Sequence, residues 1–118
     1  MHIDHSEFGN ITIDSKTYDY DVKIGLDGKV AKRKKRLSKQ EYGTSHIVSK
    51  AEAKSVFEKG CDLLIIGTGQ EDNVRLSPEA EAYFKKKGCK VLLQPTQKAM
   101  RSFNEAKEHK MALMHVTC

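Results

Sequence analysis

Lys59-Gly60-Cys61-Asp62-Leu63-Leu64 and Lys87-Gly88-Cys89-Lys90-Val91-Leu92 are one motif written twice, and their reading decides the fold. In each, a glycine that tolerates positive φ follows a helix-patterned stretch, and an apolar run of strand length comes next. Working back from the first copy, Ser49 and Glu52 have capping-box spacing. Ala53, Val56 and Phe57 recur at helical spacing toward Gly60, which the pattern assigns to the left-handed end of the helix. Before the second copy, Ser77-Pro78 supplies a cap and a first-turn proline, Ala80, Tyr83 and Phe84 form an apolar side, and Gly88 ends the helix. Beyond it, Pro95-Thr96 starts a third helix with Ala99, Met100, Phe103 and Ala106 on one face, ahead of a last strand over Met111 to Val116. Helices linking continuous apolar strands favour parallel pairing with right-handed crossovers.

The first third reads as strands. Ile11-Thr12-Ile13 is β-branched, Asp14-Ser15-Lys16 offers a turn, and Tyr18, Tyr20, Val22 and Ile24 alternate as one half-buried strand. Asp27-Gly28 favours a hairpin whose second arm runs from Lys29 to Arg36, charged enough to lie at a solvated edge. The expected architecture is therefore α/β and three-layered: a central mixed sheet of about five strands flanked by helices, with the N-terminal β-hairpin as an added layer.

At 118 residues, with 38% hydrophobic and 31% charged residues, the chain suits a single domain over 1–118 with one modest core. No apolar run exceeds Leu63 to Ile66, which excludes a membrane span, and Asp4 and Glu7 stand where a secretory leader would be basic and then apolar. Cys61, Cys89 and Cys118 are an odd set with no close pair in sequence, pointing to a reducing, cytoplasmic setting rather than a disulfide scaffold or a four-cysteine zinc site. The formal charge is +5, and Lys29, Lys32, Arg33, Lys34, Lys35 and Arg36 account for all of it and more, so the basicity is local.

Gly43-Thr44-Ser45-His46, Leu64-Ile65-Ile66-Gly67-Thr68-Gly69, Leu76-Ser77-Pro78-Glu79, Pro95-Thr96 with Ala99, Phe103-Asn104 and His115-Val116-Thr117-Cys118 together resemble, in order and spacing, the adipogenesis-associated Mth-domain family. That family takes in archaeal and bacterial proteins of unknown function and, more distantly, the mitochondrial complex I assembly factor three. The resemblance implies a three-layer fold and an assembly or regulatory role, with no defined reaction. The residues around Asp4 and Glu7 do not read as the arginine-rich, acid-poor presequence of the mitochondrial member, so a respiratory assembly role is not expected.

The constellations that could carry chemistry are few. Gly67-Thr68-Gly69 after a strand invites a phosphate-cradle reading, but Asp72 stands where a dinucleotide fingerprint needs its third glycine, and no Gly-Lys-Ser/Thr follows. No cofactor is implied. The run Lys32, Arg33, Lys34, Lys35 and Arg36 forms a basic surface that could meet a small anion or an acidic partner; with no interleaved aromatic, nucleic acid is disfavoured. Ser45, His46, Gly67, Thr68, Gly69, Thr96, His115 and Cys118 form a candidate polar cleft beyond the carboxyl ends of the parallel strands. His115 and Cys118, three apart on a strand, point to opposite faces, which argues against joint metal ligation. Cys61 and Cys89 read as small core residues. The expectation is a non-catalytic binding or assembly module with a protein partner or self-association. The alternative is a small enzyme with His46 or His115 as acid-base and Cys118 or Ser45 as nucleophile.

Overall fold

The computed structural model describes residues 2–116. Its N-terminal layer is an antiparallel three-stranded sheet of β1 (Ile3–Glu7), β2 (Asn10–Ile13) and β3 (Lys16–Tyr18), in that order. Asp14 and Ser15 take positive φ between β2 and β3, as the turn reading expects. The strand expected over Tyr18 to Ile24 is broken in two. After β3 the chain leaves this layer and enters the central sheet as β4 (Val22–Ile24), paired antiparallel with β5 (Val30–Lys32) across the expected hairpin. The break ends at Asp21, whose side chain is buried against the His115 ring and the Val116 N–H.

The hairpin arm ends sooner than its charge pattern suggests. Arg36 opens helix α1 (Arg36–Tyr42), which ends on Gly43 in the left-handed conformation. A short strand β6 (Ile47–Val48) leads to α2 (Lys50–Val56), where Ser49 Oγ accepts the Glu52 N–H at 3.1 Å, one half of the expected capping box. The other half is absent. The Ser49 N–H goes to Ser38 Oγ at 2.9 Å, freeing the Glu52 carboxylate for Arg33. α2 also stops at Val56 with an extended Phe57 cap, so Gly60 serves the turn before the strand and not the helix end.

The doubled motif then delivers β7 (Leu63–Gly67), buried at every position. There follow β8 (Arg75–Leu76), α3 (Pro78–Lys86), β9 (Lys90–Gln94), α4 (Thr96–Glu105) and β10 (Lys110–Met114). The five-stranded order is β5-β4-β10-β7-β9, with β10, β7 and β9 mutually parallel and β4 antiparallel to β10, while β6 and β8 form a separate parallel pair. Ile3, Ile11 and Ile13 of the N-terminal sheet join Met100 and Phe103 of α4 on one face. Val56, Ala80 and Phe84 of α2 and α3 cover the other. Asn104 ties the N-terminal sheet to α4, accepting the Ile3 N–H and donating to the Ile3 carbonyl, both at 2.9 Å. Among the described residues, no helix is long and apolar enough to cross a membrane.

Candidate functional site

The carboxyl ends of the three parallel strands bring together Gly67, Thr68, Gly69, Thr96 and His115, with His46 packed alongside. The rings of His46 and His115 meet edge to face at 5.4 Å. Ser45 is buried beside them, its carbonyl accepting from the Arg33 guanidinium at 2.7 Å. Cys118 lies outside the described residues.

These groups converge, but they spend their polarity on each other. Thr96 Oγ1 donates to the His115 carbonyl at 2.8 Å and accepts the Gly69 N–H at 2.9 Å. The Thr68 N–H goes to the Gln94 carbonyl at 2.8 Å, and Thr68 Oγ1 donates to Asp72 at 2.5 Å. That hydroxyl, helped by Arg75, holds the Asp72 carboxyl below its ordinary range. Two N–H groups that a phosphate cradle would present are therefore already used. The glycines have steric work instead. A Cβ on Gly67 would sit 2.6 Å from Met114 Sδ, and one on Gly69, at φ +98°, would lie 2.8 Å from His115 Cδ2. The hollow left between Gly69, Asn73, His115 and Phe8 holds about 20 Å³, far below the few hundred Å³ of a small-molecule site.

Behind this cluster lies a buried charged array that the sequence reading did not find. Arg33 is not part of the basic surface: its side chain is 1% exposed, reaching Glu52 at 2.5 and 3.0 Å and Asp21 at 3.2 Å. Ser38 Oγ adds a bond to Glu52. Asp21 also takes the His115 ring Nδ1 at 2.7 Å and the Val116 N–H at 2.8 Å. One guanidinium thus faces two carboxylates, and the imidazole completes the set. Sequence hid the array because Arg33 sits within a run of exposed cations, Glu52 reads as a cap, and Asp21 falls on the polar parity of an alternating strand. Lys32, Lys34 and Arg36 do face solvent, and Lys35 is half-buried. Among the described residues, no buried side-chain N or O lacks a hydrogen-bond partner, and no cluster of three or more His, Cys, Asp or Glu could hold a metal.

Residues 3–115 match a family model described as protein of unknown function (DUF498/DUF598). The chain belongs to the DUF498/DUF598 family. A conserved hypothetical protein of Pyrococcus horikoshii OT3, PH1505, superposes with a TM-score of 0.93 at 32% identity over 100% of both chains. The solved structure titled MT938 gives 0.84 at 28% identity, covering 99% of this chain and 98% of that one. At 17% identity, a Bordetella pertussis protein titled a Mth938-like domain shares the fold, with a TM-score of 0.66 over 98% of this chain and 85% of its own. The resemblance to Mth-domain proteins is thereby borne out. DUF498/DUF598 membership brings the architecture with it and leaves the activity open.

Proposed function

We propose that this DUF498/DUF598 domain is a non-catalytic assembly module that joins a second copy of itself edge to edge through β9. The observation that carries this reading is the outer edge of the main sheet. β9 ends the strand order, and its apolar residues are incompletely covered: Val91 and Leu92 are half-buried and Leu93 is 37% exposed. An unpaired edge of this kind is a template for strand addition unless something covers it.

A second copy suits the edge by its sequence. Two-fold antiparallel pairing centred on Leu92 sets Val91 against Leu93 and Lys90 against Gln94, so no like charges oppose each other. The hollow of about 490 Å³ between β9 and α3 carries Arg75, Glu81 and Lys85, offering both charge signs to the partner. The exposed Lys32, Lys34, Arg36 and Lys39 remain as a separate surface for an acidic partner segment or a small anion, with salt-dependent affinity.

Light scattering over a concentration series tests the reading. The wild type should pass from monomer to dimer, and Leu93→Lys should remain a monomer with an unchanged circular dichroism spectrum. A wild type monomeric at every soluble concentration refutes it.

The enzyme reading keeps one favourable observation, the Asp21–His115 contact, which is the orienter-and-base half of a catalytic triad. If Cys118 were its nucleophile, iodoacetamide should label that thiol with a midpoint below the free-thiol value of about 8.5, and His115→Gln should slow the reaction. The assembly reading expects no such acceleration.

A further inference from the structure

We propose that Cys61 and Cys89 form a dithiol redox site, which a small peroxide closes to a reversible disulfide within the folded domain. The doubled motif creates it. Each copy places a cysteine directly after its glycine, and because β7 and β9 are parallel neighbours, both glycine-cysteine joints arrive at the same end of the sheet. The sulfurs lie 3.7 Å apart, with the Cys89 thiol donating to Cys61. This direct S–H···S contact brings two groups that can react together into register.

Both thiols are almost enclosed, at 4% and 5% exposure. Cys89 nevertheless lines the hollow between α3 and β9, beside Phe84, Leu76 and Val91. That route suits a small uncharged oxidant. Gly60 and Gly88, each one residue before its cysteine, hold the left-handed backbone, with φ of +100° and +70°, that brings the two joints into the strands. Closing from van der Waals contact to a bond of about 2.05 Å needs a shift of under 2 Å, shared between two side-chain rotations.

The contact also divides the roles. Donation from Cys89 draws the Cys61 thiol below its ordinary pKa and holds Cys89 above it, so Cys61 is the sulfur that ionises first. The Cys61 thiolate attacks one peroxide oxygen. The O–O bond breaks, hydroxide leaves and takes a proton to become water, and Cys61 becomes a sulfenic acid. The Cys89 sulfur then attacks the Cys61 sulfur as its proton passes to the departing oxygen. The S–S bond forms, the S–O bond breaks, and a second water leaves. Two thiols lose two electrons, and one peroxide gains them. A dithiol reductant reverses the reaction by exchange.

The test uses the full chain carrying Cys118→Ser, so that only the pair can react, and repeats it with Leu93→Lys added so that the association state plays no part. After hydrogen peroxide treatment of the folded protein, Ellman titration in denaturant should show both thiols lost together. The intact mass should fall by two hydrogens, peptide mapping should recover a Cys61–Cys89 link, and dithiothreitol should restore both thiols. Cys89→Ser should give no link and leave a Cys61 sulfenic acid that dimedone traps, while Cys61→Ser should leave Cys89 unmodified. The proposal is overturned if both thiols survive in the folded protein, if the link forms only after unfolding, or if Cys61 and Cys89 oxidise independently to sulfinic acids.

Discussion

Asp21 Oδ2 and His115 Nδ1, 94 positions apart in the chain, meet at 2.7 Å inside the protein. The same carboxylate accepts from Arg33 and from the Val116 N–H, so one buried side chain joins the start of β4, the end of β5 and the exit of β10. A charge this deep is tolerable only while its partners remain, which makes the array sensitive to single changes.

Asp21→Asn and His115→Gln should therefore not act independently. Chemical denaturation of both single variants and the double variant should give a coupling of about 1–3 kcal/mol. Additive losses would show that the two side chains merely adjoin.

Arg33→Met should cost about 3–5 kcal/mol, because it strands two buried carboxylates. Lys34→Ser and Arg36→Ser, both at exposed positions, should each stay within about 0.5 kcal/mol. Urea midpoints measured side by side separate the one structural cation from its solvated neighbours.

Gly69→Ala faces both a positive φ and the His115 ring, and should lose about 2–4 kcal/mol. Gly43→Ala shares the left-handed backbone at φ +71° but meets nothing within 4 Å, so about 1 kcal/mol is expected. Equal losses at the two sites would remove the role given to the close approach.

The Asp72 carboxyl should titrate below its ordinary value of 3.8, chiefly through the Thr68 hydroxyl. Its contribution to stability is then full above about pH 4 and fades as pH falls through the lowered folded value. Carboxyl-carbon NMR should show the midpoint rising toward 3.8 in Thr68→Val. An unmoved midpoint would assign the shift to Arg75.

The central parallel strands were legible because full burial on both faces leaves uninterrupted apolar runs, as in Leu63 to Ile66. The repeated motif located both joints, and the ladder sets the two copies one residue out of step. Aligning the motifs sets Leu63 against Val91, whereas the ladder pairs Leu63 with Lys90 and Leu64 with Val91. The pleat decides this, since Leu63 belongs to the α4 face and Val91 to the α3 face. α1 escaped notice for lack of signals: its cap is Lys35 with no side-chain bond, its first turn has no acid, and only Ser38 is buried. β1 was hidden by a bulge between Ile3 and His5, which breaks the alternation that marks a strand. Of the candidate polar residues, Thr68, Thr96 and His115 were found because they follow strands, while Ser45 and His46 lie between α1 and β6. Their mutual satisfaction was not legible, because it depends on which hydroxyl reaches which carbonyl.

The position of β10 has a consequence for how the molecule comes into being. It lies between β4 and β7, and the chain reaches it only after the other four strands of that sheet have been made. Without β10, the β5-β4 pair and the β7-β9 pair share no ladder, and Ile24 and Ile65 both lose their backbone partner Ala112. The sheet thus closes by insertion of its middle, a non-local step that favours slow folding.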